Sequence, residues 1–297
     1  MGIPDSQLEI WSHQGAITTS KDTYATVKRA LESQNAAYAK RQFEVFLQGS
    51  YANDTNIYTE SDVDIVICYN GGFFHNLEKL THEERRLFSV TFPNGTYTYD
   101  TFKASVQSAL VAAFGSSVQS GKKALKITAN GARRSADVVC AFDHRRYTAF
   151  KGIQDDTYLK GISFFTADST RIENFPKFHS HNLTTKHQAT KSRFKPALRM
   201  FKNIRSKLIE RGSIVNGEAP SYFIEGLLYN VPNDRFVNSL SDTTFNILTW
   251  LYLTPDKTQF VCANDCYYLL RDSSPVCWPK ANGQKFISAA ISLWNSW

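Results

Sequence analysis

Two aspartates stand two residues apart at the head of an apolar run, Ser61-Asp62-Val63-Asp64-Ile65-Val66-Ile67-Cys68, and no other feature restricts the fold of this chain so tightly. The β-branched residues of the run predict a strand. Alternate residues of a strand share a face, so Asp62 and Asp64 project together while Val63 and Ile65 face the other way. Side-by-side carboxylates repel, and a pair of divalent cations that prefer hard oxygen ligands, Mg²⁺ or Mn²⁺, relieves the repulsion. Alone, an Asp-x-Asp pair more often marks a solvated edge or a calcium-like loop, so its neighbours in the sequence have to decide.

Two further segments decide it. Residues 43–48 read as a strand running into Gly49-Ser50-Tyr51. Glycine lets a backbone approach an oxyanion, and the Ser50 hydroxyl with the following N–H groups can donate to phosphate oxygens where a helix opens. Residues 134–142 form a third strand candidate, in which Asp137 stands amid Val138, Val139, Cys140 and Ala141 and needs a compensating partner if buried. A shared metal supplies one. A lone Gly-Ser is usually only a turn, but a phosphate turn, paired acids and a third acid, each with strand-like flanks, describe one metal-dependent phosphate site.

The rest of the chain alternates strands and helices. Ser20-Lys21-Asp22 starts a helix with Tyr24, Val27, Ala30 and Leu31 at helical spacing. Residues 71–98 contain turns and a short charged helix over 81–88, and a longer helix over Tyr99–Phe114 stops at Gly115. Residues 125–129 alternate as a strand before the Asn130-Gly131 turn, which hands the chain to the Asp137 strand. Residues 186–211 read as one basic helix with Phe194, Leu198, Phe201, Ile204 and Leu208 on a stripe, and with Pro196 at its first turn or at a kink. Pro220 precedes another helix at Ser221-Tyr222, where the serine can cap and the tyrosine can pack.

Charge and cysteine content narrow the partners. The net charge of +7 suits triphosphate substrates and equally nucleic acid. No stretch reaches the ~18 apolar residues of a membrane span and the N-terminus lacks the apolar core of a secretion signal, so a cytoplasmic location is expected. Met1-Gly2-Ile3-Pro4-Asp5-Ser6 matches the myristoylation pattern only formally and is discounted. Five cysteines without a secreted framework predict reduced thiols, Cys68 and Cys140 in the core. Cys262, Cys266 and Cys277, with His179 or His181, are the zinc candidates, but their spacing lacks the paired knuckles of zinc sites.

Gln48-Gly49-Ser50-Tyr51 through Ser61-Asp62-Val63-Asp64-Ile65-Val66-Ile67 resembles the signature of the polymerase-β-type nucleotidyltransferase superfamily. Within it, the chain resembles the bacterial cGAS/DncV-like nucleotidyltransferases, relatives of cyclic GMP-AMP synthase that make cyclic oligonucleotide signals in antiphage (CBASS) defence. Residues 195–209, Pro220-Ser221-Tyr222-Phe223-Ile224-Glu225-Gly226-Leu227-Leu228 and Asn230-Val231-Pro232 resemble that family's helical half.

The resemblance implies an α+β fold: a polymerase-β-like catalytic lobe with a mixed β-sheet and a bridging helix over residues 1–180, a helical lobe over 181–297, and the active site in the cleft between them. It implies that Asp62, Asp64 and Asp137 are catalytic and hold two Mg²⁺ or Mn²⁺ ions. Gly49, Ser50, Lys202 and Ser221 would bind the donor triphosphate, with Arg199 a lesser candidate, Gln48 would also contact substrate, and Tyr222 would stack on the donor base. The implied activity is synthesis of a cyclic di- or trinucleotide from ATP and another NTP, with release of pyrophosphate, by a monomer. The alternative is transfer of a nucleotide to RNA, a protein or a small molecule. Implied partners are a cyclic-nucleotide-activated effector and regulatory proteins; no membrane and no nucleic-acid activator are expected, because the zinc loop of cyclic GMP-AMP synthase has no counterpart here.

Overall fold

A computed structural model describes residues 2–15, 17–58, 62–272 and 274–297; Met1 of the acylation-like pattern and Ser61 of the acidic motif lie outside the described residues. In chain order the first elements are α1 (Asp5–Ser12), α2 (Thr18–Leu31), β1 (Phe43–Leu47), α3 (Gly49–Ala52), β2 (Val63–Asn76), α4 (His82–Thr91) and α5 (Tyr99–Phe114). Next come β3 (Val118–Ser120), β4 (Leu125–Ile127), β5 (Ala136–Phe150), β6 (Asp156–Phe165) and β7 (Arg171–Asn174). The remaining helices are α6 (Pro176–Ala189), α7 (Phe194–Glu210), α8 (Ser221–Tyr229), α9 (Leu240–Leu253) and α10 (Lys280–Asn295). They divide into two compact units.

The sheet unit comprises residues 18–48 and 62–176. Its seven strands run in the order β1-β2-β5-β4-β3, with β6 added to β5 and β7 to β6. β2 and β5 are parallel and the other pairings are antiparallel, so the sheet is mixed. β5 is long because it serves two neighbours in succession on one edge: β4 beside residues 136–138, then β6 from Phe142 onward. The rings of Tyr38, Tyr69, Phe102 and Phe142 cross one another at 4.8–5.9 Å in the core of this unit.

β2 departs from expectation beyond Cys68. Residues 71–76, expected as turn, continue the strand, and the register with β5 shifts between Tyr69 and Phe73 at Gly71-Gly72. A Cβ on Gly71 would lie 2.5 Å from the Tyr69 hydroxyl, so a side chain at this irregularity would have to displace the Tyr69 ring. β6 and β7 were not anticipated either.

The helical unit comprises residues 1–17, 49–61 and 177–297. Residues 1–17 and 49–61 therefore group with the helices rather than with the expected 1–180 lobe. For residues 1–17 the cause is apolar burial, with Ile3 and Leu8 in the same core as Phe194, Leu198, Phe201, Ile204 and Leu208 of α7; for 49–61 it is polar, with Thr55 bonded to Glu225 and Lys202 and Asp54 to Lys195. The single helix expected over 186–211 is two. Lys191 and Ser192 take left-handed backbone conformations (φ 51° and 64°), which ends α6, and the Thr190 hydroxyl accepts from Phe194 N at 3.1 Å to start α7. Pro196 falls in the first turn of α7, where its missing N–H costs nothing.

Candidate active site

In the sheet unit the acids are ordered by strand register. Asp64 on β2 pairs with Asp137 on the parallel β5. Paired positions of parallel neighbours present their side chains on one face, with strands about 4.8 Å apart. Asp62, two residues before Asp64, is exposed and accepts a hydrogen bond from Ser135 Oγ. The backbone reinforces the arrangement: Val63 N donates to Ser135 O at 3.0 Å and Gln48 N donates to Asp64 O at 3.0 Å. β1 and β5 thus clamp β2 on both sides where the acids project.

Asp137 shows the electrostatic strain expected of such a cluster. Burial raises its pKa, the facing Lys126 on β4 pulls it back, and the charge of Asp62 pushes it up again. A carboxyl in this position gains from a cation. Oxygen donors of this kind fit Mg²⁺ or Mn²⁺, yet among the described residues no three His, Cys, Asp or Glu side chains are gathered closely enough to grip an ion as they stand. The residues match the metal in chemistry, and Asp62 would have to exchange the Ser135 hydroxyl for it.

In the helical unit, Gly49 takes φ 70°, a left-handed conformation that favours glycine, and α3 opens at once. Asn53 N donates to Gly49 O at 3.2 Å and Thr55 N to Ser50 O at 2.9 Å, so the turn closes on itself. Gln48, the last residue before it, has a side-chain oxygen that is buried and meets no hydrogen-bond partner among the described residues.

Three expected substrate residues have internal roles. Lys202 is fully buried; its ammonium sits 2.9 Å from Glu225 Oε1 and 3.0 Å from Thr55 Oγ1, so it does not present itself as a triphosphate ligand. The reason is helical spacing, which sets Lys202 one turn after Leu198 on a buried face of α7. Ser221 accepts from Arg205 Nη1 at 3.1 Å. Tyr222 is stacked with His179 at 4.6 Å and with Trp278 at 5.4 Å, and its hydroxyl accepts from Asn264 at 2.9 Å. Burial pushes the Tyr222 phenol well above its ordinary range. Arg199 donates to Asp54 O at 2.6 Å and to Ser12 O, which commits it to backbone carbonyls.

Glu225 was missed by sequence reasoning. A lone acid inside Tyr222-Phe223-Ile224-Glu225-Gly226-Leu227-Leu228 was the available signal, because an ionised carboxylate in an apolar helix must find partners. It finds Lys202, Thr55 and His179, whose Nε2 lies 2.7 Å from Oε2. Burial alone would raise the Glu225 carboxyl, but Lys202, His179 and Thr55 together hold it far below the usual range. Among the zinc candidates, Cys262 is buried and its thiol is pushed up to about 12 by burial and by the nearby Cys277 and Cys266.

Comparison with known proteins identifies the family. Residues 181–295 match the cGAS/DncV-like nucleotidyltransferase C-terminal helical domain. Over the whole of both chains the protein is 39% identical to cyclic nucleotide synthase CdnE01 of Staphylococcus haemolyticus. It is also 39% identical, over 100% of this chain and 99% of the relative, to the cyclic UMP-AMP synthase of Rhodothermus marinus. The solved structure of Rhodothermus marinus CdnE c-UMP-AMP synthase with Apcpp and Upnpp superposes with a TM-score of 0.88 at 38% identity, covering 99% of this chain and 97% of that one. Elizabethkingia meningoseptica CdnE cyclic dinucleotide synthase, solved with GTP and Apcpp, gives 0.77 at 28% identity over 99% and 98%. The chain belongs to the bacterial cGAS/DncV-like nucleotidyltransferases. It is a nucleotidyltransferase of α+β fold.

Proposed function

We propose that the protein is a cyclic dinucleotide synthase that joins ATP to a second NTP, with ATP and UTP as the substrate pair. The observation that carries the reading is the register of Asp64 with Asp137, with Asp62 two residues away, in a chain alike along its whole length to cyclic nucleotide synthases. The choice of UTP is supported by the 39% identity with the cyclic UMP-AMP synthase.

Asp62, Asp64 and Asp137 would hold two Mg²⁺ or Mn²⁺ ions. When bound, such ions lower the pKa of an attacking ribose hydroxyl and neutralise charge at the α-phosphate and departing pyrophosphate. The chain's own residues bind and orient. Gly49 and the N–H groups after it approach the triphosphate, the Ser50 and Ser221 hydroxyls donate to its oxygens, the Gln48 side-chain oxygen accepts from a donor group of the substrate, and Tyr222 with its stacked neighbours borders the donor base. Each transfer forms one P–O bond as the α–β anhydride breaks and pyrophosphate leaves, and a second transfer closes the ring. A released cyclic nucleotide acts only through a receptor, so the product serves an effector protein in antiphage signalling.

The test is incubation with all four NTPs and Mg²⁺ or Mn²⁺, phosphatase treatment, mass spectrometry and nuclease mapping of the linkages. The expected result is a phosphatase-resistant product of one adenylate and one uridylate, with a loss of at least ~10³-fold in Asp62→Asn/Asp64→Asn. Retention of synthesis in that variant would sink the metal site. Nucleotide found only on added RNA or protein would favour the alternative reading of a modifying transferase.

A further inference from the structure

We infer that Glu225 is a positioning residue that fixes the Gly49–Ser50 turn and the Tyr222 ring from a single buried carboxylate. The inference rests on the reading that the turn binds phosphate. Thr55 Oγ1 lies 2.5 Å from Glu225 Oε1 and 3.3 Å from Ser50 O. A hydroxyl has one hydrogen to donate, and the shorter distance and the negative charge assign it to Glu225. Thr55 then grips Ser50 with its backbone N–H at 2.9 Å, while Lys202 Nζ donates to Thr55 Oγ1 at 3.0 Å from behind. The turn is therefore held by a relay from Glu225 through Thr55 to Ser50.

The second oxygen of Glu225 reaches the other way. His179 Nε2 donates to Oε2 at 2.7 Å, and the His179 ring is stacked at 4.6 Å on Tyr222. Glu225, Lys202, His179 and Thr55 are 2%, 0%, 3% and 0% exposed, so water does not compete for these bonds. Both oxygens of one carboxylate are spent, one on the segment that follows α3 and one on the aromatic stack. A buried carboxylate with both oxygens bonded in this way favours a single arrangement, which is what a site aligning a phosphate needs. Lys202 here supplies the charge that keeps Glu225 ionised, which accounts for a lysine at this position without any contact to phosphate.

The decisive variant is Thr55→Val, which keeps the shape and removes the hydroxyl. It is assayed with the full chain at 25 °C, alongside Thr55→Ser and Ser50→Ala, for NTP consumption and melting temperature. Thr55→Val is expected to lower kcat/KM by at least about tenfold while remaining folded, and Thr55→Ser, which restores the hydroxyl, to recover most of it. A merely structural role would lower the melting temperature and leave kcat/KM where it was. Folded Thr55→Val with wild-type kcat/KM, beside an impaired Ser50→Ala, overturns the positioning role. An unimpaired Ser50→Ala overturns instead the phosphate-turn reading beneath it. Should Thr55→Val not fold, the paired replacement Lys202→Met/Glu225→Leu decides, because exchanging both members of a buried ion pair for apolar groups is often tolerated; wild-type kcat/KM in that folded pair also overturns the inference.

Discussion

Each unit closes a histidine–glutamate contact inside itself, and the two contacts differ in what they hold. In the sheet unit His144 Nε2 faces Glu173 Oε2 at 3.2 Å, Arg146 and Arg171 donate to Glu173 at 3.2 and 2.9 Å, and Ser163 Oγ lies 3.1 Å from His144 Nδ1. These side chains come from β5, β6 and β7, strands whose ladder already fixes their register. In the helical unit His179, Glu225, Lys202 and Thr55 come from α6, α8, α7 and the segment after α3, which no ladder connects. Similar chemistry is redundant in one place and is the tie itself in the other. A buried charge set becomes informative once the backbone it holds is known.

The largest expected effect separates the two outright. Glu225→Ala leaves the Lys202 ammonium buried without its carboxylate, which costs about 3–5 kcal/mol, a large part of a domain's stability. Glu173→Ala should cost only about 1–3 kcal/mol, because the Glu173 side chain is 14% exposed and Arg171 turns to water. Urea unfolding measures both. Equal costs would mean that the sheet does not back up its own charge set.

Acid titration sharpens the contrast. Burial would raise the Glu173 carboxyl, but His144 and Arg146 bring it from 4.5 down to about 2. A depressed carboxyl means that the unfolded chain binds the extra proton between those values, so its contribution is complete above pH 4.5 and disappears as pH falls toward 2. Glu225 is held lower still, so its contribution persists into stronger acid. The urea midpoint of Glu173→Gln should therefore change less with pH than that of the wild type between pH 4.5 and 2. The difference in stability change should be about 1–3 kcal/mol after screening. Identical slopes would remove Glu173 from the account of acid stability.

The acidic motif was legible because it is local: Asp62 and Asp64 stand two residues apart at the head of the β-branched run that becomes β2, and Asp137 sits in a second such run that becomes β5. What the sequence hid is set by long-range pairing. β6 carries a strand signal in Tyr158, Leu159, Ile162, Phe164 and Phe165 that Gly161 interrupts and that was passed over, and four-residue β7 is too short to show a pattern until β5 proves long enough to take a second neighbour. The break between α6 and α7 depends on left-handed Lys191 and Ser192, neither a glycine, so no local signal marks it. The internal commitment of Lys202 and Tyr222 depends on Glu225 and His179, 23 and 43 residues from their partners by subtraction of their numbers, and only packing reveals it.

The smallest effect is the sharpest check on the comparison. Ser163→Ala is the sheet-unit counterpart of Thr55→Val: each removes one buried hydroxyl from a histidine–glutamate set. Ser163 lies on β6, where its backbone is held opposite Glu173 of β7 and Phe142 of β5 whether or not the hydroxyl is present. The change should cost about 1 kcal/mol, the net worth of one hydrogen bond, and leave NTP kcat/KM unaltered. A drop in kcat/KM with Ser163→Ala would show that loss of any buried hydroxyl disturbs catalysis through general loosening, and the effect of Thr55→Val would lose its meaning. Unchanged kinetics with Ser163→Ala beside impaired kinetics with Thr55→Val ties the effect to the segment that holds Ser50.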